Sequence, residues 1–489
     1  MEVVMKRDIF KLLAAALVLF LMAACGGGDK NDEDAQPDGD TTDSGTVEPT
    51  DTGDTAPDGD TGDTDPDGDI GDTETDDDNG DTEDPAVMQA YSVADAHAEA
   101  VSAEIVEANT RLGLNIFEKL AVGKHENIMI SPLSISIAMA MTANGTENES
   151  LAEMKEVLGY GEMELPTVNE QFRELIASLV SADKDLVLEI ANSIWVDENF
   201  SEEIRDEFIT VLEESYDAEL FKADFGDDET VELINSWVAE KTHGKIDKII
   251  DSIGPQTVMH LINAVYFKAA WSIAFDKEAT FTAKFILADG TLTDAEYMGF
   301  KEYSSLNGVK YGDYVISDQD VAGVRIPYGR DAFAFYAYVA NPSFEAAIDG
   351  VLTVDEIISN FVKKGNFTGY MPSAAPNYYK IHLPKFKFEY KESLVEIFKS
   401  LGVEKLFEDG GMSAAHSALY VSGITHKTYI DVNEEGTEAA AVTDIGADVG
   451  GPDNFPGFYG RRPFFFFIRD ERNGTILFMG KVEKPEYEE

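Results

Sequence analysis

Apolar positions recur along the chain with two different periods. Leu394, Ile397, Phe398 and Leu401 fall at i, i+3, i+4 and i+7 behind Ser393-x-x-Glu396, and Gly402 follows them. That spacing puts one apolar stripe on a helix, opened by a capping box and closed by the residue best suited to a left-handed end. Thr167-x-x-Glu170 predicts the start of a second helix, with Val168, Phe172, Leu175, Ile176 and Leu179 on its stripe. Val231, Ile234 and Val238 mark a third, ending near Gly244. Elsewhere the apolar runs are unbroken. Residues 464–468 are all apolar, residues 469–474 make a turn, and residues 475–479 return, which predicts a buried hairpin. Residues 258–267, 333–339 and 428–432 also read as strands. Helices dominate the first half, and no regular strand–helix alternation appears. The pattern predicts an α+β fold.

Before Tyr91 the chain is of another kind. Lys6, Arg7 and Lys11 flank the start of a run of 13 apolar residues, 12–24, which ends at Cys25 and three glycines. A basic start and so short a run predict a secretory signal over residues 1–25, too short to anchor in a bilayer by itself. Met22, Ala23, Ala24 and Cys25 resemble the lipobox of bacterial lipoproteins. That resemblance implies cleavage before Cys25 and acylation of it, and two or more acyl chains hold a protein firmly to a membrane. A secreted protein fixed by Cys25 to the outer membrane or cell surface, or released outside, is the expectation.

Residues 26–84 hold twenty-four Asp or Glu against one Lys, contributing −23 to a chain net charge of −57. Thr, Gly and Pro fill most of the rest, so residues 26–90 are expected to be a disordered, self-repelling linker ahead of a folded domain over 91–489. Within it, Asp63, Asp65, Asp67, Gly68, Asp69 and Glu74 fit the spacing of a calcium loop. The flanks cannot form the paired helices such a loop needs, so diffuse association with cations is expected and no metal or cofactor is assigned.

With 44% hydrophobic and 10% aromatic residues among 489, the chain has ample material for a large core. The charge argues against nucleic acid as a partner. A single cysteine excludes an internal disulfide and any cysteine-based zinc site. No Gly-x-Ser-x-Gly elbow, His-Glu-x-x-His, phosphate loop or dinucleotide fingerprint occurs, which speaks against an enzyme.

The informative segment lies between the strand at 428–432 and the C-terminal hairpin. Read with period two from Thr437, one register holds Thr437, Ala439, Ala441, Thr443, Ile445, Ala447 and Val449, all uncharged. The other holds Glu438, Ala440, Val442, Asp444, Gly446, Asp448 and Gly450, with every charge. Such alternation suits a strand with one face buried. Yet it runs into Gly451, Pro452, Asp453, Asn454 and Phe455, the composition of an exposed loop. On pattern alone an edge strand before a long loop fits best, although alanines form strands poorly and suit a strand that must slide between two others.

The folded part resembles the serpin family over nearly all its length. The matching motifs are Asn127 with Ser131, Pro132, Leu133 and Ser134; Asn192, Ser193, Ile194 and Trp195; Asn235, Trp237, Thr242 and Gly244; Asn263, Tyr266, Phe267 and Trp271; His382, Pro384 and Phe386; and Arg462, Pro463 and Phe464 with Met479, Gly480 and Val482. They occur in family order. The resemblance implies about three β-sheets, eight or nine helices and an exposed reactive-centre loop. It also implies inhibition of serine proteases by a suicide route: the loop is cut, and then inserts as a new central strand while the acylated protease is carried away.

By the same resemblance, Glu434, Glu435, Gly436, Thr437 and Glu438 match the hinge where insertion starts, and Ala439, Ala440 and Ala441 match the small-residue run of inhibitory members. The family's usual spacing from the hinge puts the reactive bond at Gly450-Gly451, with Val449 beside it, and the length of this loop leaves the cut open over Asp448 to Pro452. None of these is basic, so an elastase- or subtilisin-like protease is the expected partner rather than a trypsin-like one. Ser131, Ser134, Asn263 and His426 match a buried polar cluster where the sheet opens, and Trp271 with Glu434 the point where the strand first goes in. None of these residues is catalytic. A covalent protease complex, a monomer and no polyanion activator are implied. The alternative is a non-inhibitory member serving in binding or adhesion at the cell surface.

Overall fold

The computed structural model describes residues 85–180, 182–184, 186–299, 313–316, 321–340, 352–367, 380–437 and 457–487. Nine α-helices lie among them: α1 (Pro85–Ala100), α2 (Ala103–Ala121), α3 (Pro132–Ala143), α4 (Asn148–Leu158), α5 (Leu165–Leu179), α6 (Asp206–Tyr216), α7 (Asp228–Lys241), α8 (Val354–Lys364) and α9 (Val395–Leu401). The strands are β1 (Ile128–Ile130), β2 (Leu186–Asp197), β3 (Glu219–Ala223), β4 (Met259–Ala270), β5 (Phe281–Ile286), β6 (Leu292–Met298), β7 (Asp313–Ile316) and β8 (Val321–Tyr328). They continue with β9 (Phe333–Ala340), β10 (Lys380–Pro384), β11 (Phe386–Ser393), β12 (Thr425–Val432), β13 (Gly436–Thr437), β14 (Gly457–Tyr459), β15 (Phe464–Asp470) and β16 (Ile476–Val482).

They form three sheets, the number that the resemblance implies. The main sheet runs β11-β12-β13-β4-β2-β3, the core sheet β1-β16-β15-β9-β8-β7, and the side sheet β14-β10-β6-β5. In the core sheet β15 is the buried strand of the expected hairpin with β16, in the register Phe464↔Val482 to Ile468↔Phe478. Its four consecutive phenylalanines alternate in what they touch. Phe464 and Phe466 meet Phe386 of the main sheet at 5.8 and 5.4 Å between ring centroids. Phe465 meets Phe117 of α2 and Phe361 of α8 at 5.5 and 5.3 Å. A strand covered on both faces has no polar side, which is why its sequence shows no alternation.

On the outer face of the main sheet, α7 buries Ile234, Trp237 and Val238 against Trp195 of β2 and Ile262 and Ala264 of β4. On the inner face α3 is buried along almost its whole length and packs against β4 and β16.

Three boundaries differ from the sequence reading. Ser393 is the last residue of β11 and caps nothing; Leu394 takes the cap position of α9 because its amide is tied to Ile424 O at 2.9 Å. Helix α5 starts at Leu165, with Pro166 in its first turn, ahead of the Thr167 signal. Proline is preorganised for that place. Helix α1 begins at Pro85, so residues 85–90, assigned to the linker by composition, are helical. The reason is tertiary: Tyr91 and Ala94 are buried, and Asp95 is held by Arg330 and Arg472.

Candidate functional site

The chain leaving β12 reverses at once. Asn433 N donates to Gly436 O at 3.0 Å, Gly436 N returns to Asn433 O at 3.3 Å, and Glu435 N donates to Asn433 Oδ1 at 3.0 Å. This tight turn lays Gly436 and Thr437 down as β13, between β12 and β4, with Thr437 opposite both Val432 and Ala269. A Cβ on Gly436 would sit 2.0 Å from Ala269 O, so only glycine fits so close to the neighbouring backbone. Gly436 and Thr437, two of the residues expected to form the hinge, are therefore already a short strand in the main sheet.

Side chains lock that turn. Trp271 donates its indole N–H to Asn433 O at 2.9 Å and its amide to Glu435 O at 2.9 Å. Its ring stacks on Tyr328, 4.5 Å between centroids, and the Tyr328 hydroxyl lies 2.7 Å from Thr437 Oγ1. Burial pushes that phenol far above its ordinary pKa, so it stays neutral. Glu434 is buried; Lys385, also buried, lies 3.4 Å from Glu434 Oε2, and Thr280 donates to Glu434 Oε1 at 2.7 Å. Glu435 pairs with Lys277 at 2.5 Å. Trp271 and the first four hinge residues thus meet at one end of the sheet. Glu438, Ala439, Ala440 and Ala441 lie outside the described residues. So do Val449, Gly450, Gly451, Cys25 and the calcium candidates Asp63, Asp65, Asp67, Asp69 and Glu74.

Below β13, no ladder joins β12 to β4 among the described residues. Between them opens a cavity of about 510 Å³, into which Ser134, His260, Asn263 and His426 face. Ser131 caps α3: its Oγ accepts from Ser134 N at 3.1 Å and donates to Leu477 O at 2.7 Å. Its amide donates to His426 Nε2 at 3.0 Å. Desolvation pushes His426 down to about 4, so the ring is neutral at pH 7, with Nε2 as acceptor and the proton on Nδ1.

The fourth candidate stands apart. Asn263 donates to Asn192 Oδ1 at 2.7 Å across β4 and β2, and Asn192 donates to Tyr216 O at 2.7 Å. Asn263 Oδ1 is buried with no hydrogen-bond partner. Ser134 and His426, with Ser131 bonded behind them, line one wall of the slot, and Asn263 stands on the other. A buried acceptor without a partner is rare in a finished core and is satisfied when something fills the space.

The sequence reading missed Tyr328, Lys385, Asn433 and Thr280. Pro327-Tyr328-Gly329 is a turn signal at a strand end, but nothing local marks the tyrosine as the partner of a residue 109 positions away. Among the described residues no cluster of His, Cys, Asp and Glu is suited to a metal ion.

Comparison with known proteins identifies this arrangement. The family model for Serpin (serine protease inhibitor) matches residues 107–485. An uncharacterised serpin-like protein of Methanosarcina mazei is 32% identical over 78% of this chain and 88% of its own length. Iripin-2 of Ixodes ricinus is 32% identical over 78% of this chain and 94% of its own. Among solved structures, the thermophilic serpin tengpin in its native state superimposes with a TM-score of 0.66 at 31% identity, over 78% of this chain and 94% of its own. The same protein in its latent state gives 0.63 at 30% identity, over 78% and 98%.

Proposed function

The chain belongs to the serpin family, and we propose that it is an inhibitor of serine proteases that works by accepting its own cut loop as a strand of the main sheet. Members of this family commonly inhibit such proteases. The observation that carries the reading is the short strand β13. Gly436 and Thr437 are already paired with Ala270, Ala269 and Val432, and a cavity of about 510 Å³ opens between the other ends of the same two strands, at residues 259–263 and 425–427.

The steps follow from that geometry. The protease serine attacks the carbonyl before the reactive bond, the new amine leaves, and an ester joins enzyme and loop. With its far end free, the loop extends β13 between β12 and β4, its uncharged register packs inward, and the ladder gains hydrogen bonds worth about 1 kcal/mol net each. The cut is expected at Gly450-Gly451, beside Val449, by an elastase- or subtilisin-like enzyme. Acylation of Cys25 and the acidic linker would hold the monomeric inhibitor at the cell envelope, with a protease rather than nucleic acid as its partner.

The test is incubation with elastase-, subtilisin- and trypsin-like proteases. An adduct that survives SDS is expected with the first two and not the third. Clean cutting of the loop without any adduct would overturn the proposal and favour the binding or adhesion role.

A further inference from the structure

The chain runs on past β16, and its last described residues are fastened at two points. Asn127, ahead of β1, takes the first: its Oδ1 accepts from Glu483 N at 2.8 Å and Lys484 N at 3.0 Å, and its amide donates to Lys484 O at 2.7 Å. Lys387 N of β11 takes the second, donating to Glu486 O at 2.9 Å. The tail so held sets Tyr487 against Lys385. The family model stops at residue 485, so this tyrosine lies beyond what that model matches.

Tyr487 touches two sides of the hinge turn. Its ring centre lies 4.2 Å from Lys385 Nζ, the buried ammonium that faces Glu434. Its hydroxyl meets the side chains of Asn433 and Asp431. Burial, with Asp431 beside it, pushes the phenol above its ordinary pKa and keeps it neutral. The face of a neutral aromatic ring attracts a cation, and more strongly where water is kept out.

Lys385 has two carboxylates to choose from. Glu434 Oε2 lies 3.4 Å away and is buried, while Glu296 Oε2 lies 3.5 Å away and is 48% exposed. Glu296, Lys387, Pro485 and Tyr487 also line an open groove of about 940 Å³. With distances so nearly equal, solvation decides between the pairs. An ammonium with free access to the groove gains both water and Glu296, and it deserts Glu434. The tyrosine ring closes that way out.

Resting on the inhibitory reading, we propose that Tyr487 is a positioning residue for strand insertion: it pins Lys385 on Glu434 and so holds the turn that aims the cut loop into the main sheet. Every residue added to β13 is laid down behind Thr437, so the direction of residues 433–436 sets the path of the whole strand. A turn that gives way delays insertion, and water then reaches the ester first.

The test reads the ratio of cleaved chain to SDS-stable adduct, using the full chain with an elastase- or subtilisin-like protease. Tyr487→Ala is expected to raise that ratio about fivefold, the scale of one desolvated contact between a cation and a ring. Tyr487→Phe keeps the ring and is expected to stay within about twofold of the natural chain. Glu296→Gln removes the rival carboxylate; alone it should change nothing, and combined with Tyr487→Ala it should restore the natural ratio. A fold that was merely weakened would not be repaired by so exposed a substitution. No rise with Tyr487→Ala, an equal rise with Tyr487→Phe, or no repair by Glu296→Gln would overturn the positioning role and leave the inhibitory reading standing. A natural chain that is cut and never forms adduct would overturn that reading, and the positioning role with it.

Discussion

Glu434 is a carboxylate with almost no access to water, and its two oxygens are occupied by Lys385 at 3.4 Å and Thr280 at 2.7 Å. Removing one member of such a buried pair strands the other, at a cost of about 3–5 kcal/mol. Glu434→Lys is the harsher case, because it sets two ammonium groups together in the turn that feeds β13. A drop in stability of that order is expected in urea unfolding, and an unchanged midpoint would show that the turn does not depend on the pair.

His426 makes a prediction about pH. Its folded value of about 4 lies below the usual 6.5, so the folded chain binds fewer protons than the unfolded one between those limits. The stability tied to the neutral ring is complete above about pH 6.5 and is lost as pH falls towards 4, amounting to about 2 kcal/mol by pH 5. Urea midpoints compared at pH 7 and pH 5, in the natural chain and in His426→Asn, isolate this share. An equal fall in both would assign the acid sensitivity to other groups.

At the level of elements, β13 decides how the hinge is read. Thr437 is buried, paired on both sides, and 2.7 Å from the Tyr328 hydroxyl. Thr437→Arg would put a cation into that space, and a charge cannot be buried there without a partner. The variant is expected to be cut at the normal rate yet to yield cleaved chain rather than adduct; an undiminished share of adduct on gels would contradict this.

The helix stripes around Phe172 and Phe398 and the hairpin at Phe464 were visible in the sequence, while the period-two alternation beyond Thr437 lies outside the described residues. What stayed hidden was set by distant contacts. Ser393 and Glu396 had the composition of a capping box, but the hydrogen bond of Leu394 to Ile424 kept Ser393 in β11. A true capping box, Thr353 with Glu356, opens α8 and was passed over. Lys385 follows a strand of no unusual pattern, and only the folded chain sets it against Glu434. Asn263 and His426 were grouped by resemblance, and the fold sets them on two walls of the same slot. One-dimensional spacing gives the face of an element and says nothing about which gap that face lines.

At the scale of the whole molecule, two sheets and the helices around them make a closely packed frame, and in the third sheet β12 and β4 are joined, among the described residues, only through β13. The core sheet is packed on both faces by aromatic rings, and α3 fills the space behind β4. Against that background a cavity of about 510 Å³ between β12 and β4, with an unsatisfied Asn263 Oδ1 facing it, stands out as a place the fold holds open. Close packing is the normal condition of an interior, so space of this size in a sheet is costly unless a later state uses it.

The most direct measurement is the crystal structure of the chain after its loop has been nicked. Residues 437–449 are predicted to run as a continuous strand between β12 and β4, with Thr437, Ala439, Ala441 and Thr443 facing inward and the Asn263 carbonyl oxygen hydrogen-bonded. If β12 and β4 are still joined only through Gly436 and Thr437, with the cavity open beneath them, the loop is not a strand of this sheet and the proposed inhibition has no engine.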